Sequence, residues 1–421
     1  MVSFLSPLNL RVGFYLAVRQ IRRASRWTTG LIVFVMLLTF LNLVVVTGVL
    51  VGLVEGINTQ YRTLYTGDVV ISALSTKQYV ENAPAVLSFV RSLPQVEKLS
   101  ARYISNGSVE ANYKTRTNQN EKPNKTGSQI FGIDPVAEDA LTNLSHYVIE
   151  GEYLEPSDYD QILIGDLLLE KYAFGEQPGI SPLKNVSAGT KLLLTVNGST
   201  REVTVKGVLK AKIDPLATSV YMTETEARQL FGRDDFNVSQ IAIRLKEGSD
   251  PVTFRDLVRD SGVGAQAKVL TFEDSIPPGV NDIKNTFAML GNMISSVGLV
   301  VASITIFIVI FINAVTRRKF IGILKGIGIS GTAIELSYMF QSLFYALIGS
   351  AVGVAFLYGF LVPFVATHPI DFPFSDGILV APVSGTLTRV FLLVIATVIA
   401  GYIPARMIVK KNTLDSILGR N

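Results

Sequence analysis

Four long stretches without charge constrain this chain more than anything else in it. Gly30 to Val54 runs 25 residues with no Asp, Glu, Lys or Arg, more than the ~20 a helix needs to cross a ~30 Å hydrocarbon core. Thr286 to Thr316 is a second such stretch, Leu336 to Thr367 a third, and Ala381 to Ala405 a fourth, broken only by Arg389. A cleaved signal peptide would carry an apolar region of only ~7–15 residues, so the first stretch also reads as a span. Yet 38 Lys+Arg and 34 Asp+Glu are present, too many for a chain held wholly in lipid. The pattern predicts a few membrane helices and one large water-exposed domain. The absence of cysteine excludes disulfides, thiolate metal sites and thiol catalysis. Two histidines, His146 and His368, leave little for imidazole chemistry.

Charge placement predicts sidedness, because Lys and Arg in short flanking segments stay in the cytoplasm. Arg11, Arg19, Arg22, Arg23 and Arg26 precede the first span; Arg317, Arg318, Lys319 and Lys325 lie between spans two and three; Arg406, Lys410, Lys411 and Arg420 follow the last. Against these 13 cations stands Asp415 alone, so the rest of the chain is acidic, with 25 basic and 33 acidic residues. The basic pI of about 9.0 therefore reflects topology, and no basic, aromatic-interleaved patch supports a nucleic-acid partner. The predicted fold class is a membrane α-helical protein with four transmembrane helices and both termini cytoplasmic. A large α+β extracytoplasmic domain is inserted between helices one and two. At 100° per residue the five N-terminal arginines share one third of a helical wheel, with Leu10, Phe14, Ala17, Val18 and Ile21 opposite. That predicts an amphipathic helix on the membrane lipid of the inner leaflet.

The expected boundaries are 1–28 for the amphipathic segment, 29–54 for the first span and 55–279 for the outside domain. Residues 280–316 form a stalk and second span, 317–331 a cytoplasmic loop, 332–366 the third span, 367–381 an outer loop, 382–405 the fourth span and 406–421 a tail. In the outside domain, short alternating runs predict strands at 68–72, 129–133, 161–164, 191–196, 202–208 and 240–245. Helices are expected at 84–93, 167–174, 224–231 and 251–260, in two lobes. His146 has no ligand-spaced partner, and Asp158 with Asp160 and Asp234 with Asp235 read as turn chemistry. Six Asn-X-Ser/Thr sequons, at Asn106, Asn124, Asn143, Asn185, Asn197 and Asn237, leave glycosylation and Asn turns both open. Span three carries Gly349-Ser-Ala-Val-Gly353, a G-x-x-x-G spacing that permits close packing, within one bundle or across a dimer.

The loop Arg317-Arg-Lys-Phe-Ile-Gly-Ile-Leu-Lys-Gly-Ile-Gly328 is the most distinctive segment. Gly326, Gly328 and Gly331 formally match the dinucleotide fingerprint, which is rejected because no strand-turn-helix unit fits between adjacent spans. No G-x-x-x-x-G-K-[ST] occurs in the 421 residues. The loop is similar to the Arg-rich Ile-Gly-Ile-Leu-Lys element after the second span in ABC transporter permeases of the MacB/LolC/FtsX type. Resemblance extends along the chain: Arg91-Ser-Leu-Pro-Gln-Val-Glu97, Phe131-Gly-Ile-Asp-Pro135, Glu150-Gly-Glu-Tyr-Leu154 with Ile162-Leu-Ile-Gly165, Ala188-Gly-Thr-Lys191 with Val205-Lys-Gly-Val-Leu209, and the tail from Pro404-Ala-Arg-Met through Asp415-Ser-Ile-Leu418. Each motif is weak alone, and their order and spacing carry the resemblance. Phe320 departs from the Glu of many relatives, so a carboxylate contact does not carry over, and Asn412-Thr replaces their usual Asp-Pro.

The resemblance implies a permease, not an enzyme, with no cofactor of its own and ATP bound by a partner. It implies two copies of a cytoplasmic ATPase and a second permease, identical or related. Membrane-fusion and outer-membrane proteins are further partners it allows. Residues Arg317, Arg318, Lys319, Phe320, Ile321, Gly322, Ile323, Leu324, Lys325, Gly326, Ile327 and Gly328 would form the ATPase-docking coupling helix. Ile321, Ile323, Leu324 and Ile327 would be its apolar stripe. Motion would pass along the long second helix to the outside domain, driving export of a hydrophobic, peptide or lipid-linked substrate across a bacterial inner membrane. The competing expectation is an FtsX-like regulator of a cell-wall hydrolase that transports nothing.

Overall fold

The computed structural model describes residues 6–114, 122–173, 181–276, 278–368 and 379–410. In chain order, α1 (Pro7–Arg23) and α2 (Arg26–Tyr61) lead through a π-helical turn (Arg62–Thr66) into β1 (Val69–Ala73), α3 (Ala83–Ser92), β2 (Val96–Ala111) and β3 (Asn124–Ile133). There follow α4 (Pro135–Thr142), β4 (Val148–Gly151), β5 (Gln161–Gly165), β6 (Lys191–Val196), β7 (Ser199–Leu209), α5 (Asp214–Ala217), β8 (Ser219–Thr223) and α6 (Glu224–Leu230). β9 (Gln240–Leu245), α7 (Pro251–Asp260), β10 (Ala267–Thr271) and α8 (Phe272–Ser275) complete this part. The remainder is helical: α9 (Pro278–Thr316), α10 (Arg318–Gly326), α11 (Gly331–Phe356), α12 (Val362–Thr367) and α13 (Val383–Val409). These elements form two compact units, one from Gly56–Asn281 and one from the described residues on either side of it.

Among the described residues, four segments are long and apolar enough to cross a membrane: Arg26–Thr66, Asn285–Thr316, Gly331–Thr367 and Val383–Val409. At 1.5 Å per residue the 39 residues of α9 extend about 58 Å, nearly twice a hydrocarbon core. Met36, Phe40 and Val44 of α2, Ala302, Ile306 and Ile310 of α9, Tyr345 and Ala346 of α11 and Leu393 of α13 share one buried core. Lipid-facing positions such as Ile304, Ile308, Phe391 and Ile399 stay exposed, as expected where the solvent is hydrocarbon. Pro404 sits inside α13 without ending it, and the helix runs to Val409, past the expected limit of the fourth span.

The other unit is a mixed α+β domain. Its strands run β10-β1-β9-β2-β3-β8-β5-β7-β4, while β6 joins β2 to β7 off that path. Pairings β2–β3, β3–β8, β8–β5, β5–β7, β7–β6 and β6–β2 therefore close a ring of six strands, a barrel-like closure that leaves no free edge among them. The sixteen-residue β2 serves both halves: Val96–Arg102 pairs with β9 and Gly107–Glu110 with β6. Two lobes were expected; two strand assemblies exist, but they share β2 and make one compact unit.

All six expected strands form, and β2, β4, β8 and β10 add to them. The helix expected at 167–174 does not form. A short 3₁₀ turn covers Asp166–Leu168, and Leu169 bridges Leu183 in extended backbone. Leu168 and Leu169 are fully buried, so the apolar run fills the core directly rather than presenting a helical stripe. Phe174, residues 115–121 and the tail from 411 lie outside the described residues.

Candidate functional site

The loop after the second long helix folds into α10, a nine-residue helix. Its end is a Schellman motif. Gly328 takes φ +93°, its N–H donates to Lys325 O at 3.1 Å and the Ile329 N–H to Leu324 O at 3.0 Å. An L side chain is strained at such a φ, which explains glycine there. Ser330 then caps α11 by accepting from the Ala333 N–H at 3.2 Å. The glycine spacing that imitates a nucleotide fingerprint is thus a helix-to-helix turn.

α10 divides into two faces. Ile321 and Gly322 are buried, Leu324 is half-buried against the helical core, and Lys325 Nζ donates to Val409 O at 2.9 Å. That cation meets the carbonyl end of α13, where the helix dipole favours positive charge. Facing away are Phe320 (67% exposed), Ile323 (50%) and Ile327 (71%), at i, i+3 and i+7 on one side. This corrects the expected stripe: Ile321 and Leu324 anchor the helix inward, and Phe320 replaces them on the outward ridge. Nothing lies within 4 Å of where a Gly326 side chain would start.

Gly349 and Gly353 lie on α11 against α2: a Cβ on Gly349 would collide with Met36, and one on Gly353 with Phe40. Within one chain, α2 occupies the face these glycines clear.

A second arrangement, which the sequence reading missed, holds the π-helical turn that follows α2 (Arg62–Thr66) within the strand-rich unit. Arg102 and Glu138, each about 2% exposed at the side chain, form a bidentate pair, Nε to Oε2 at 2.9 Å and Nη2 to Oε1 at 2.5 Å. Ser100 Oγ donates to the same carboxylate at 2.6 Å. Arg102 Nη1 donates to Tyr65 O at 2.5 Å, and Arg244 Nη2 to Thr63 O at 3.1 Å. Arg62 pairs with Asp68 at 2.6 Å. Last-turn carbonyls lack helical partners, and two arginines from β2 and β9 supply them. Burial works against the Arg102 charge, but Glu138 beside it leaves its pKa raised overall.

Other expected turn residues act as such: Asp158 accepts from the Glu155 N–H at 2.7 Å and Asp235 from the Asn237 N–H at 2.9 Å. Of the sequon residues, Asn143, Asn185 and Asn197 hold positive φ, and Asn237 Oδ1 accepts from the Ala83 N–H at 3.0 Å. His146 lies in a 3₁₀ turn, Leu144–Tyr147.

Four span-length helices, a strand-rich insertion after the first of them and a short amphipathic helix after the second are the architecture of a multi-pass membrane permease. Two family matches agree: the MacB-like periplasmic core domain over residues 29–261 and the FtsX-like permease C-terminal region over residues 292–413. The chain belongs to the MacB/LolC/FtsX-type ABC transporter permeases and is a multi-pass membrane protein. It is similar to a probable export ATP-binding/permease protein of Pseudomonas fluorescens, 22% identical over 260 residues, 61% of this chain and 38% of that protein. It is also similar to macrolide export ATP-binding/permease protein MacB 1 of Yersinia pestis, 27% identical over 200 residues, 46% of this chain and 29% of that protein. The chain thus spans about a third of the length of these relatives. Among solved structures, the periplasmic region of MacB from Actinobacillus actinomycetemcomitans aligns with 51% of this chain and 92% of its own length, at 11% identity and a TM-score of 0.35.

Proposed function

We propose that this permease couples ATP hydrolysis by a separate cytoplasmic ABC ATPase to movement of its strand-rich domain. Both termini and α10 lie in the cytoplasm, the residue 56–281 domain lies outside, and two permeases work with two ATPase subunits. The motion drives export or extraction of a hydrophobic, peptide or lipid-linked substrate. No ATP site or other cofactor of this chain takes part.

The observation that carries this reading is the outward ridge of Phe320, Ile323 and Ile327 on a helix fixed from behind by Ile321, Leu324 and Lys325. An apolar ridge on a pinned helix suits a groove on a partner. The length of α9, well beyond one bilayer, supports transmission of its displacement outward.

The test is co-purification of a co-expressed ATPase with Phe320→Glu, Ile323→Asp and Gly326→Trp variants. Gly326 has open space around it within the chain, so Trp there should disturb only a bound partner. Overpacking a fitted contact costs ~1–3 kcal/mol, which weakens docking by about one to two orders of magnitude. Normal ATPase recovery and transport by all three variants would dismiss α10 as the docking element.

A further inference from the structure

The coupling scheme leaves α1 without a task, although α1 is firmly built into the helical unit. Gly13 and Ala17 are buried, and a Cβ on Gly13 would crowd Leu336 and the Ala333 carbonyl of α11. Asn9 Nδ2 donates to Thr332 Oγ1 at 2.9 Å and Gln341 Nε2 to Gln20 Oε1 at 2.6 Å. Asn9, Gly13, Ala17 and Gln20, at i, i+4, i+8 and i+11, form the face turned to α11.

The side opposite is cationic. Arg11, Arg19, Arg22 and Arg23 are exposed, as is Arg26 three residues beyond the helix. Among the described residues none of the five has an acidic partner, and no Asp or Glu occurs before Glu55. Leu10, Phe14, Val18 and Ile21 make a third, apolar face, with the Phe14 ring edge-on to Phe340 at 5.7 Å. One helix therefore carries a small-residue face against α11, an apolar face that also touches α11 through Phe14, and a cationic face. The macrodipole accounts for Arg22 and Arg23 in the last turn, but Arg11 lies at the wrong end for it. Retention in the cytoplasm requires only positive charge, yet all five are arginine, whose planar fork matches phosphate oxygens. Since α2 starts at Arg26, α1 sits at the level where that span leaves the hydrocarbon.

We propose that the arginine face of α1 binds anionic phospholipid headgroups and concentrates them around the start of the first span. This deepens the permease reading and rests on its membrane-spanning bundle, not on which side the termini face. Trp27, the sole tryptophan, is 91% exposed and adjoins Arg26, so its fluorescence reports the lipid beside the cluster.

The experiment places the full chain in nanodiscs of phosphatidylcholine and phosphatidylglycerol, with brominated acyl chains on one lipid or the other. Brominated phosphatidylglycerol should quench Trp27 as though enriched about fivefold or more, the attraction of one basic side chain for an anionic surface. Added salt should reduce the preference. The combined Arg11→Gln, Arg19→Gln and Arg22→Gln variant, which keeps Arg23 and Arg26, should reduce it clearly without changing thermal stability, because all three replaced side chains are exposed. Equal quenching by the two lipids in the unaltered chain overturns the proposal, as does an unchanged preference in the variant. Loss of a co-purified ATPase from the variant, with equal quenching throughout, would assign the face to a protein and also overturn it. Both leaflets carry the brominated lipid, so a reversed topology would show only in tag accessibility and not here.

Discussion

At the scale of single residues, buried charge in the strand-rich domain gives two measurable effects. Asp166 is buried and its pKa is raised from 3.8 to about 6, chiefly by burial, with backbone hydrogen bonds from Leu167, its own N–H and Ala211 opposing. Between those values the folded state binds more protons than the unfolded one, so stability falls as pH rises through about 6. Asp166→Asn should therefore stabilise the protein at pH 7.5, by about 3 kcal/mol at most, and leave it unchanged near pH 3.5. Thermal melts at the two pH values check this, and an equal gain at both would rule out ionisation as the cause. Arg102 and Glu138 give the second effect. Arg102→Met alone strands a buried carboxylate and should cost about 3–5 kcal/mol. Arg102→Met with Glu138→Leu should cost clearly less than the single change, read as denaturation midpoints of the four-member cycle. The side chains on α10 were legible as a set, because the Ile-Gly pattern marks the loop. Their division between Ile321 and Leu324 inward and Phe320 outward was not, since it depends on where α13 ends.

Among the elements, the packing of α11 on α2 depends on the absence of side chains. Gly353→Val should destabilise by ~1–3 kcal/mol through collision with Phe40. In combination with Phe40→Leu the loss should be less than additive, because the two positions share one space. Thermal midpoints in detergent measure both, and strict additivity would show that the glycine clears space for something other than α2. The four spans were readable from hydropathy because lipid demands unbroken apolar sequence. Strands with one clean apolar face, such as β6 and β9, were equally plain. β2 was hidden by its chemistry: Arg102 is buried in mid-strand, and Asn106-Gly107 resembles a turn. The glycine there is required by close approach of β6, where a Cβ would press on Thr195 O at 2.7 Å. The anchor on the turn after α2 was also invisible, since Arg102 and Arg244 reach residues 65 and 63 only through the pairing of β2 with β9, and Glu138 joins Arg102 from α4.

For the molecule as a whole, the four-span reading predicts that a tag after Asn421 stays protected in intact cells while protease added outside reaches the strand-rich domain. Accessible C-terminal tags in unpermeabilised cells would refute it. The pairing of β1 also sets a schedule for assembly. β1 aligns Val69 with Thr271 of β10 and with Ile243 of β9, its two neighbours in the sheet. The first strand of the domain to be made thus waits for partners about 200 residues later, which at ~5–20 residues per second is about 10–40 s of synthesis. Throughout that interval Val69, Val70 and Ile71, all buried in the finished sheet, have no partner strand. Truncations ending before Ala267 should stay protease-sensitive around β1, while those extending past Thr271 become resistant. The domain can lock only as the second long helix begins to emerge, so completion of the fold and insertion of that helix become consecutive events on one nascent chain.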